Sequence, residues 1–262
     1  MCVIVVKPQN AILDKDNLEN CFDANPQGAG FAVAKDNGST ILKKGYFKFD
    51  EFWKDVEEYI KPEDVAILHC RIATHGNKDE GNTHPFIISD KDEDLRNTYC
   101  VTTRSVAAHN GVLRNCIPEF KSILSDSQEF VKKILSDPFI YEGLFHSQPM
   151  RDLISEYLGS LNKLAILSPE REYILFGTFL ECKGIKYSNS SYIRTYSEKD
   201  YYDNWYKDIN SNKNILPKTE SKKDDSIKRG TCALCDQHGL IEFITEVPLC
   251  QNCIKALGSE II

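Results

Sequence analysis

Long apolar runs are missing from this 262-residue chain, and with them any stretch of the roughly 20 residues needed to cross a bilayer. The first residues, Met1-Cys2-Val3-Ile4-Val5-Val6-Lys7, have neither a basic region nor a cleavage site, so no export signal is read there and a soluble, cytoplasmic protein with no membrane partner is expected. Basic charge is also short: 32 Lys and Arg stand against 39 Asp and Glu, a net of −7, which excludes a polyanion-binding surface as the governing feature of the whole molecule. No fixed-period repeat and no low-complexity block occurs, which sets aside solenoids and coiled coils. What is present is 41% apolar and 10% aromatic residues, enough for one or two domains with a real core. Ten cysteines are also present. In a chain without an export signal the six scattered ones read as free thiols, and the four clustered near the end are treated separately below.

The patterning is strand-rich with interspersed helices. Val3 to Val6 is a short apolar run closed by Pro8. Ala29 to Ala34 and Thr40 to Leu42 flank Asp36-Asn37-Gly38-Ser39, whose Asn-Gly pair suits a type I′ hairpin. From Asp50, read as an N-cap, Phe52, Trp53, Val56, Tyr59 and Ile60 recur at helical spacing until Pro62. Strands are expected at Val65 to His69, Tyr99 to Thr103 and Val106 to His109, helices at Gln128 to Leu135 and Met150 to Leu158. A second hairpin joins Leu164 to Leu167 with Tyr173 to Phe176. After about Tyr196 the texture changes. Lys207 to Arg229 carries seven basic and four acidic residues with almost nothing apolar, and reads as a tether.

Cys2 follows the initiator methionine and opens a strand. Removal of Met1 would leave a thiol and a free α-amine on one residue, and an α-amine titrates at roughly 7.7 to 8.0, close enough to working pH to take the thiol proton. By itself a second-position cysteine is more simply an accident of a buried strand. Four further stretches accompany it, Arg71-Ile-Ala-Thr-His-Gly76, Asn82-Thr-His-Pro-Phe86, Ala108-His-Asn-Gly-Val-Leu113 and Ser125-Asp-Ser127. With Asn25-Pro-Gln-Gly-Ala-Gly30 before them and Gly184-Ile-Lys-Tyr-Ser-Asn189 after, their order and spacing resemble the class II glutamine amidotransferases, the N-terminal-nucleophile (Ntn) amidohydrolases. The match is best to stand-alone members and covers roughly residues 2 to 195.

The resemblance implies an α+β fold, a four-layer αββα sandwich of two stacked antiparallel sheets between helical layers. It implies a catalytic set of Cys2, Asn110 and Gly111. The Cys2 thiolate attacks a side-chain amide, and the Asn110 amide and the Gly111 backbone N–H receive the oxyanion, a charge that needs preorganised donors in a site with little water. It also implies a substrate-binding set of Arg71, Thr74, His75 and Asp126. A free glutamine carries a carboxylate and an ammonium, which call for one cation and one anion held apart, and an Arg fork meets a carboxylate bidentately. His84 is read as architectural. Departures from the pattern are Val3, where many members have glycine, Ile72 in place of an aromatic, and Gln128 in place of an acidic residue. These leave glutamine and a γ-glutamyl small molecule both open as the substrate. Too few residues follow for a fused synthase, so the ammonia is expected either to be released or to pass to a separate protein. A non-catalytic scaffold on the same fold is the alternative from another class.

Cys232-x2-Cys235, fourteen residues, then Cys250-x2-Cys253 is the spacing of a four-cysteine site made of two knuckles, with His238 an alternative ligand. Four thiolates close a tetrahedral shell, so the Zn2+ expected there is structural. Residues 230–262 have too small a core to fold alone, and the metal would supply much of their folding free energy. With one Lys against four acidic residues this zinc-ribbon module is expected to dock protein rather than nucleic acid. The domain reading is therefore 2–195 hydrolase-like, 196–229 linker, and 230–262 zinc ribbon.

Overall fold

The computed structural model describes residues 2–72, 79–119, 122–193, 227–232, 238–244 and 247–250. The chain divides into two compact units, Met1–Tyr192 and Ile193–Ile262. Among the described residues no helix is long and apolar enough to cross a membrane.

The first unit is a mixed α+β fold built on two antiparallel sheets. In chain order it runs β1 (Val3–Lys7), α1 (Lys15–Ala24), β2 (Ala29–Ala34), β3 (Thr40–Tyr46), α2 (Phe49–Tyr59), β4 (Val65–Cys70), β5 (Phe86–Ile87), α3 (Asp92–Arg96), β6 (Tyr99–Thr102), β7 (Val106–Asn110), α4 (Asp126–Phe130), α5 (Pro138–His146), α6 (Gln148–Leu158), β8 (Lys163–Leu167), β9 (Tyr173–Phe176), β10 (Leu180–Cys182) and β11 (Ile185–Tyr187). The larger sheet has the order β10-β11-β1-β4-β2-β3-β6 and the smaller β5-β7-β8-β9.

Strands buried on both faces should read as unbroken apolar runs rather than as an alternation. Val3 to Val6 and Ala29 to Ala34 do so, and every residue of β1, β2, β4 and β7 is buried. One face of each sheet meets the other. Ile4, Val6, Ala32, Ala34, Val65 and Ile67 pack against Ile87, Val106, Ala108, Ala165 and Leu167. On the far side of the larger sheet Phe31 meets Phe52 of α2, and Phe22 of α1 stacks on the same ring. On the far side of the smaller sheet Ala107, Leu164 and Ile166 meet Phe130, Leu144, Ile154 and Leu158 of the helices. The result is four layers, helix, sheet, sheet, helix. A fully buried aromatic or aliphatic side chain contributes roughly 1.5–3 kcal/mol, so the three interfaces together dominate the stability of the unit.

Local departures from expectation have physical causes. The β2–β3 turn closes with Lys35 N on Ser39 O and Gly38 N on Lys35 O, and Gly38 alone takes a positive φ, +73°. A type I′ turn needs two such residues, so this is a type I turn followed by a left-handed glycine. The α2 helix starts one residue earlier than Asp50, which with Glu51 lies in its first turn, where negative charge favours the helix dipole. The helix expected from Gln128 starts at Asp126 behind a Ser125–Gln128 capping box. It widens over Val131–Leu135 into a π turn, where Ser136 N reaches Val131 O.

In the second unit β12 (Ile227–Thr231), β13 (His238–Ile244) and β14 (Val247–Cys250) form an antiparallel three-stranded sheet. β12 takes in the last three residues of the stretch read as linker, because Ile227, Lys228 and Arg229 pair with Glu242, Ile241 and Leu240.

Candidate active site

The site lies where the inter-sheet core runs out. Side chains alternate along a strand. Val6 and Ile4 of β1, Ile67 of β4, and Val106 and Ala108 of β7 all face the other sheet. Two residues further along each strand, the same face carries Cys2, then His69 and Arg71, then Asn110. The β1–β4 register, Val3 opposite Cys70 and Ile4 opposite His69, sets Cys2 beside the Arg71–Ile72 segment. That segment stays in line beyond β4 through Arg71 N on Gly28 O and Gln27 N on Arg71 O.

Cys2 Sγ donates to Ile72 O at 3.2 Å and accepts from Ile72 N at 3.3 Å. Its carbonyl oxygen accepts from Asn110 Nδ2 at 2.5 Å and from Asn189 Nδ2 at 2.8 Å. Asn110 Nδ2 also donates to Ser188 Oγ at 2.6 Å, and its Oδ1 lies 3.0 Å from His69 Nε2. Ser188 ties this cluster to β1 by accepting from Ile4 N with its hydroxyl and donating its N–H to Ile4 O. Lys163 Nζ donates to Ser188 O.

Burial raises the Cys2 thiol pKa; the Ile72 backbone hydrogen bond and the Arg71 charge act in the opposite direction. Arg71 is itself only 4% exposed. Burial pulls its pKa down, and the neighbouring Cys2, Asp79 and Asp126 support its charged form. The guanidinium therefore lies within electrostatic reach of both the thiol and the Asp126 carboxylate. Asp126 holds the segment after β7: Oδ2 accepts from Leu113 N at 2.7 Å and Oδ1 from Ser127 N at 2.9 Å. Gly111, between Asn110 and that anchor, has φ +131°, a region that favours glycine. A Cβ there would collide with Asn162 Oδ1.

Of the residues singled out by sequence, Cys2, Arg71, Asn110, Gly111 and Asp126 all fall on this cluster of segments. Thr74 and His75 lie outside the described residues. His84 is buried and packs against His69 with ring centroids 4.3 Å apart and the planes tilted by 35°. Gln128 is buried too, its Oε1 accepting from Ser125 N and its Nε2 donating to Gly81 O and Leu95 O, so its amide completes a helix cap. His69, Asn162, Ser188 and Asn189 carry no role in the sequence reading. Ser188 and Asn189 close a stretch already noted for its position, and His69 is accessible from alternation with Arg71.

In the second unit, Cys232 follows β12, whose Thr231 pairs with His238, and Cys250 ends β14, paired with Ile241. Cys232 therefore lies just beyond the start of β13, and Cys250 midway along it. Cys235 and Cys253 lie outside the described residues. Among the described residues no group of three or more His, Cys, Asp or Glu is arranged to hold a metal ion.

No family model matches the sequence. Over 130 residues, half of this chain, it is 28% identical to the glutamine–fructose-6-phosphate aminotransferase (isomerizing) of Pyrococcus horikoshii. The chain spans 18% of that relative's length. Among solved structures it is similar to the glutamine phosphoribosylpyrophosphate amidotransferase of B. subtilis complexed with ADP and GMP, at 18% identity and a TM-score of 0.45, covering 73% of this chain and 42% of that one. It is similar also to a structure described as the allosteric regulatory enzyme of purine biosynthesis, at 18% identity and a TM-score of 0.44, covering 71% of this chain and 41% of the other. In sequence, then, half of this chain resembles under a fifth of a glutamine-dependent aminotransferase.

Proposed function

We propose that the first unit is a cysteine-dependent amidohydrolase of the class II glutamine amidotransferase type, cleaving the side-chain amide of glutamine through a γ-glutamyl thioester. The observation that carries this reading is the meeting of Cys2 with Asn110 and with the Arg71–Ile72 segment at the polar end of the inter-sheet core. Once Met1 is removed, the Cys2 α-amine takes the thiol proton and the thiolate attacks the amide carbon. The tetrahedral oxyanion is received by Asn110 Nδ2 and the Gly111 N–H. Asn110 frees a donor by giving up the Cys2 carbonyl, which Asn189 continues to serve. Collapse breaks the C–N bond, the α-ammonium returns the proton to the departing nitrogen, and ammonia leaves. Water, deprotonated by the same amine, then adds to the thioester, releasing glutamate and the thiol. Arg71 binds the α-carboxylate of the substrate and Asp126 its ammonium, with Thr74 and His75 lining the pocket. The ammonia is released or taken by a separate protein.

The second unit is proposed as a structural zinc ribbon of Cys232, Cys235, Cys250 and Cys253. Its support is the sequence spacing of the four cysteines. The ion, when bound, supplies folding free energy and no chemistry.

Intact mass after treatment with a diazo-ketone analogue of glutamine tests the catalytic reading. The expected result is loss of Met1, one adduct on Cys2, and ammonia release from glutamine that Cys2→Ala abolishes. Retained Met1, or ammonia release by Cys2→Ala, would overturn the mechanism. Inertness toward glutamine with turnover of γ-glutamyl amides would move the substrate and keep the chemistry.

A further inference from the structure

Two buried histidines of the first unit play no part in that mechanism as chemical groups, yet each is bonded to a structure that holds an oxyanion donor. We infer that His69 and His109 are positioning residues, one for each donor: His69 fixes the Asn110 side chain, and His109 fixes the Gly111 turn through Asn162. The inference rests on the proposed roles of Asn110 and Gly111.

The orientation of the Asn110 amide follows from its partners. The Cys2 carbonyl oxygen can only accept, so the atom facing it at 2.5 Å is Nδ2. Oδ1 therefore faces His69 Nε2 at 3.0 Å, and because Oδ1 can only accept, the His69 proton is on Nε2. Turning the amide over would set Nδ2 against that N–H and Oδ1 against the Cys2 carbonyl, losing both bonds at once. His69 is fully buried, and its Nε2–H is spent on Asn110.

His109 lies on the opposite face of β7 from Asn110. Its Nδ1 is 2.8 Å from Ser127 Oγ and its Nε2 is 3.0 Å from Asn162 Oδ1. Asn162 Nδ2 donates to Leu158 O at 2.6 Å, so Oδ1 is the accepting end; His109 carries its proton on Nε2 and accepts from the Ser127 hydroxyl. Asn162, clamped from two sides, is the wall of the Gly111 turn, with its Oδ1 at the place a Cβ would occupy. Both rings act in the same neutral tautomer. Burial supports this, holding His69 near 3 and His109 below its ordinary value, so neither arrangement dissolves in the working range.

Replacement by Gln and by Leu separates positioning from packing, because the Gln Nε2 can take the place of the imidazole Nε2 as a donor and Leu offers none. Steady-state ammonia release from glutamine is measured for both substitutions at each site, with the rate of Cys2 alkylation by iodoacetamide as a check on the nucleophile and circular dichroism as a check on the fold. His69→Leu and His109→Leu are expected to lower kcat by about 10- to 100-fold, with KM and alkylation rate within about 3-fold, and the Gln variants to recover most of the loss. Folded Leu variants with wild-type kcat, or Gln variants as impaired as Leu, would overturn the inference. Should a Leu variant fail to fold, Asn162→Ala at the half-exposed end of the His109 chain must still lose kcat at constant KM, and a wild-type kcat there would refute it. A wild-type protein inert toward glutamine and γ-glutamyl amides would instead remove the functional reading on which this one stands.

Discussion

Gly111→Ala puts the geometry of the turn proposed to receive the oxyanion to a quantitative test. The residue has φ +131°, and an added Cβ would collide with Asn162 Oδ1 and lie 2.9 Å from its Cγ and 3.1 Å from its Cα. Two costs follow. Backbone strain for a non-glycine residue in a sparsely populated region is about 1–3 kcal/mol. Overpacking adds about 1–3 kcal/mol, since the Asn162 main chain is also close and the side chain is held by His109 and Leu158. Gly159 supplies the control. It has φ +70° and nothing within 4 Å of an added Cβ, so Gly159→Ala carries strain without crowding. The crowding difference of about 2 kcal/mol corresponds to roughly 4–8 °C in a unit of this size. Thermal melts of both variants should therefore separate by about that amount, with Gly111→Ala the lower. Ammonia release by Gly111→Ala should fall by about 100-fold or more, since displacing the N–H removes one donor to the oxyanion. Equal melting temperatures with unchanged turnover would mean that Asn162 does not brace the turn and that Gly111 is a glycine for local reasons alone.

Asp126 combines a charge with two backbone bonds, and Asp126→Asn removes the charge while its one amide oxygen keeps the bond from Leu113 N and gives up that from Ser127 N, so stability should fall by about 1 kcal/mol while KM for glutamine rises about 10-fold or more. An unchanged KM would remove the ammonium-binding role. Stability should fall on mild acidification. The folded pKa of His69 is pushed down to about 3 from an ordinary 6.5, and His84 and His109 are lowered as well. The unfolded chain thus binds protons that the native state refuses, so the His69 contribution is complete above about pH 6.5 and is lost toward pH 3, at up to about 1.4 kcal/mol per pH unit, and His84 and His109 act in the same direction. Asp14, Asp55 and Asp94, all lowered by their partners, lose their contributions only as pH falls through the carboxylate range, which leaves the interval from about 6.5 to about 5 to the histidines. A melting temperature flat over that interval would contradict their burial as neutral rings. For the second unit, elemental analysis should find about one zinc per chain, reduced by Cys250→Ser and by chelation with no effect on the melting of the first unit. Zinc-free protein with an unchanged far-ultraviolet spectrum would sink the ribbon.

Much of this arrangement is legible in the sequence because the strands are short and their turn signals strong. Apolar runs alone mark β1, β2, β4 and β7 to within a residue or so of their ends. Helix α1 has no such mark: its apolar positions Leu18, Cys21 and Phe22 are few, set among acidic and amide residues, and the helix is held by the Asp14 cap and by packing of Phe22 on α2. Strands β10 and β11 escape a sequence reading for a different reason. Each is three residues long, and β11 exists because it pairs with β1 at Val5 and Val6, a partner some 180 residues away. The site divides in the same way. The residues proposed to carry the chemistry, Cys2, Arg71, Asn110 and Asp126, are readable through the family that the order and spacing of their motifs resemble. The residues that orient them, His69, Asn162, Ser188 and Asn189, are tied to them by side-chain bonds across distant parts of the chain, and no local pattern marks such bonds.

One structural rule accounts for why these residues meet at all. In the proposed mechanism Cys2 becomes the first residue once Met1 is removed, and its main chain must then be fixed from the side. Here β1 lies between β4 and β11 in the sheet, and the residues flanking it supply what a preceding segment would have supplied: Ile72 on the sulfur, Asn189 on the carbonyl, and Ser188 on both polar groups of Ile4. Ser188 and Asn189 come directly after β11, so the late motif of the sequence is bound to the strand that carries Cys2. The smaller sheet then brings Asn110 from across the inter-sheet core, at the point where the alternating face changes from Val106 and Ala108 to a polar amide. Loss of the β1–β11 pairing should therefore displace Cys2 and unpack the buried Ile185 and Tyr187, while the inter-sheet cluster, which contains no β11 side chain, keeps its contacts.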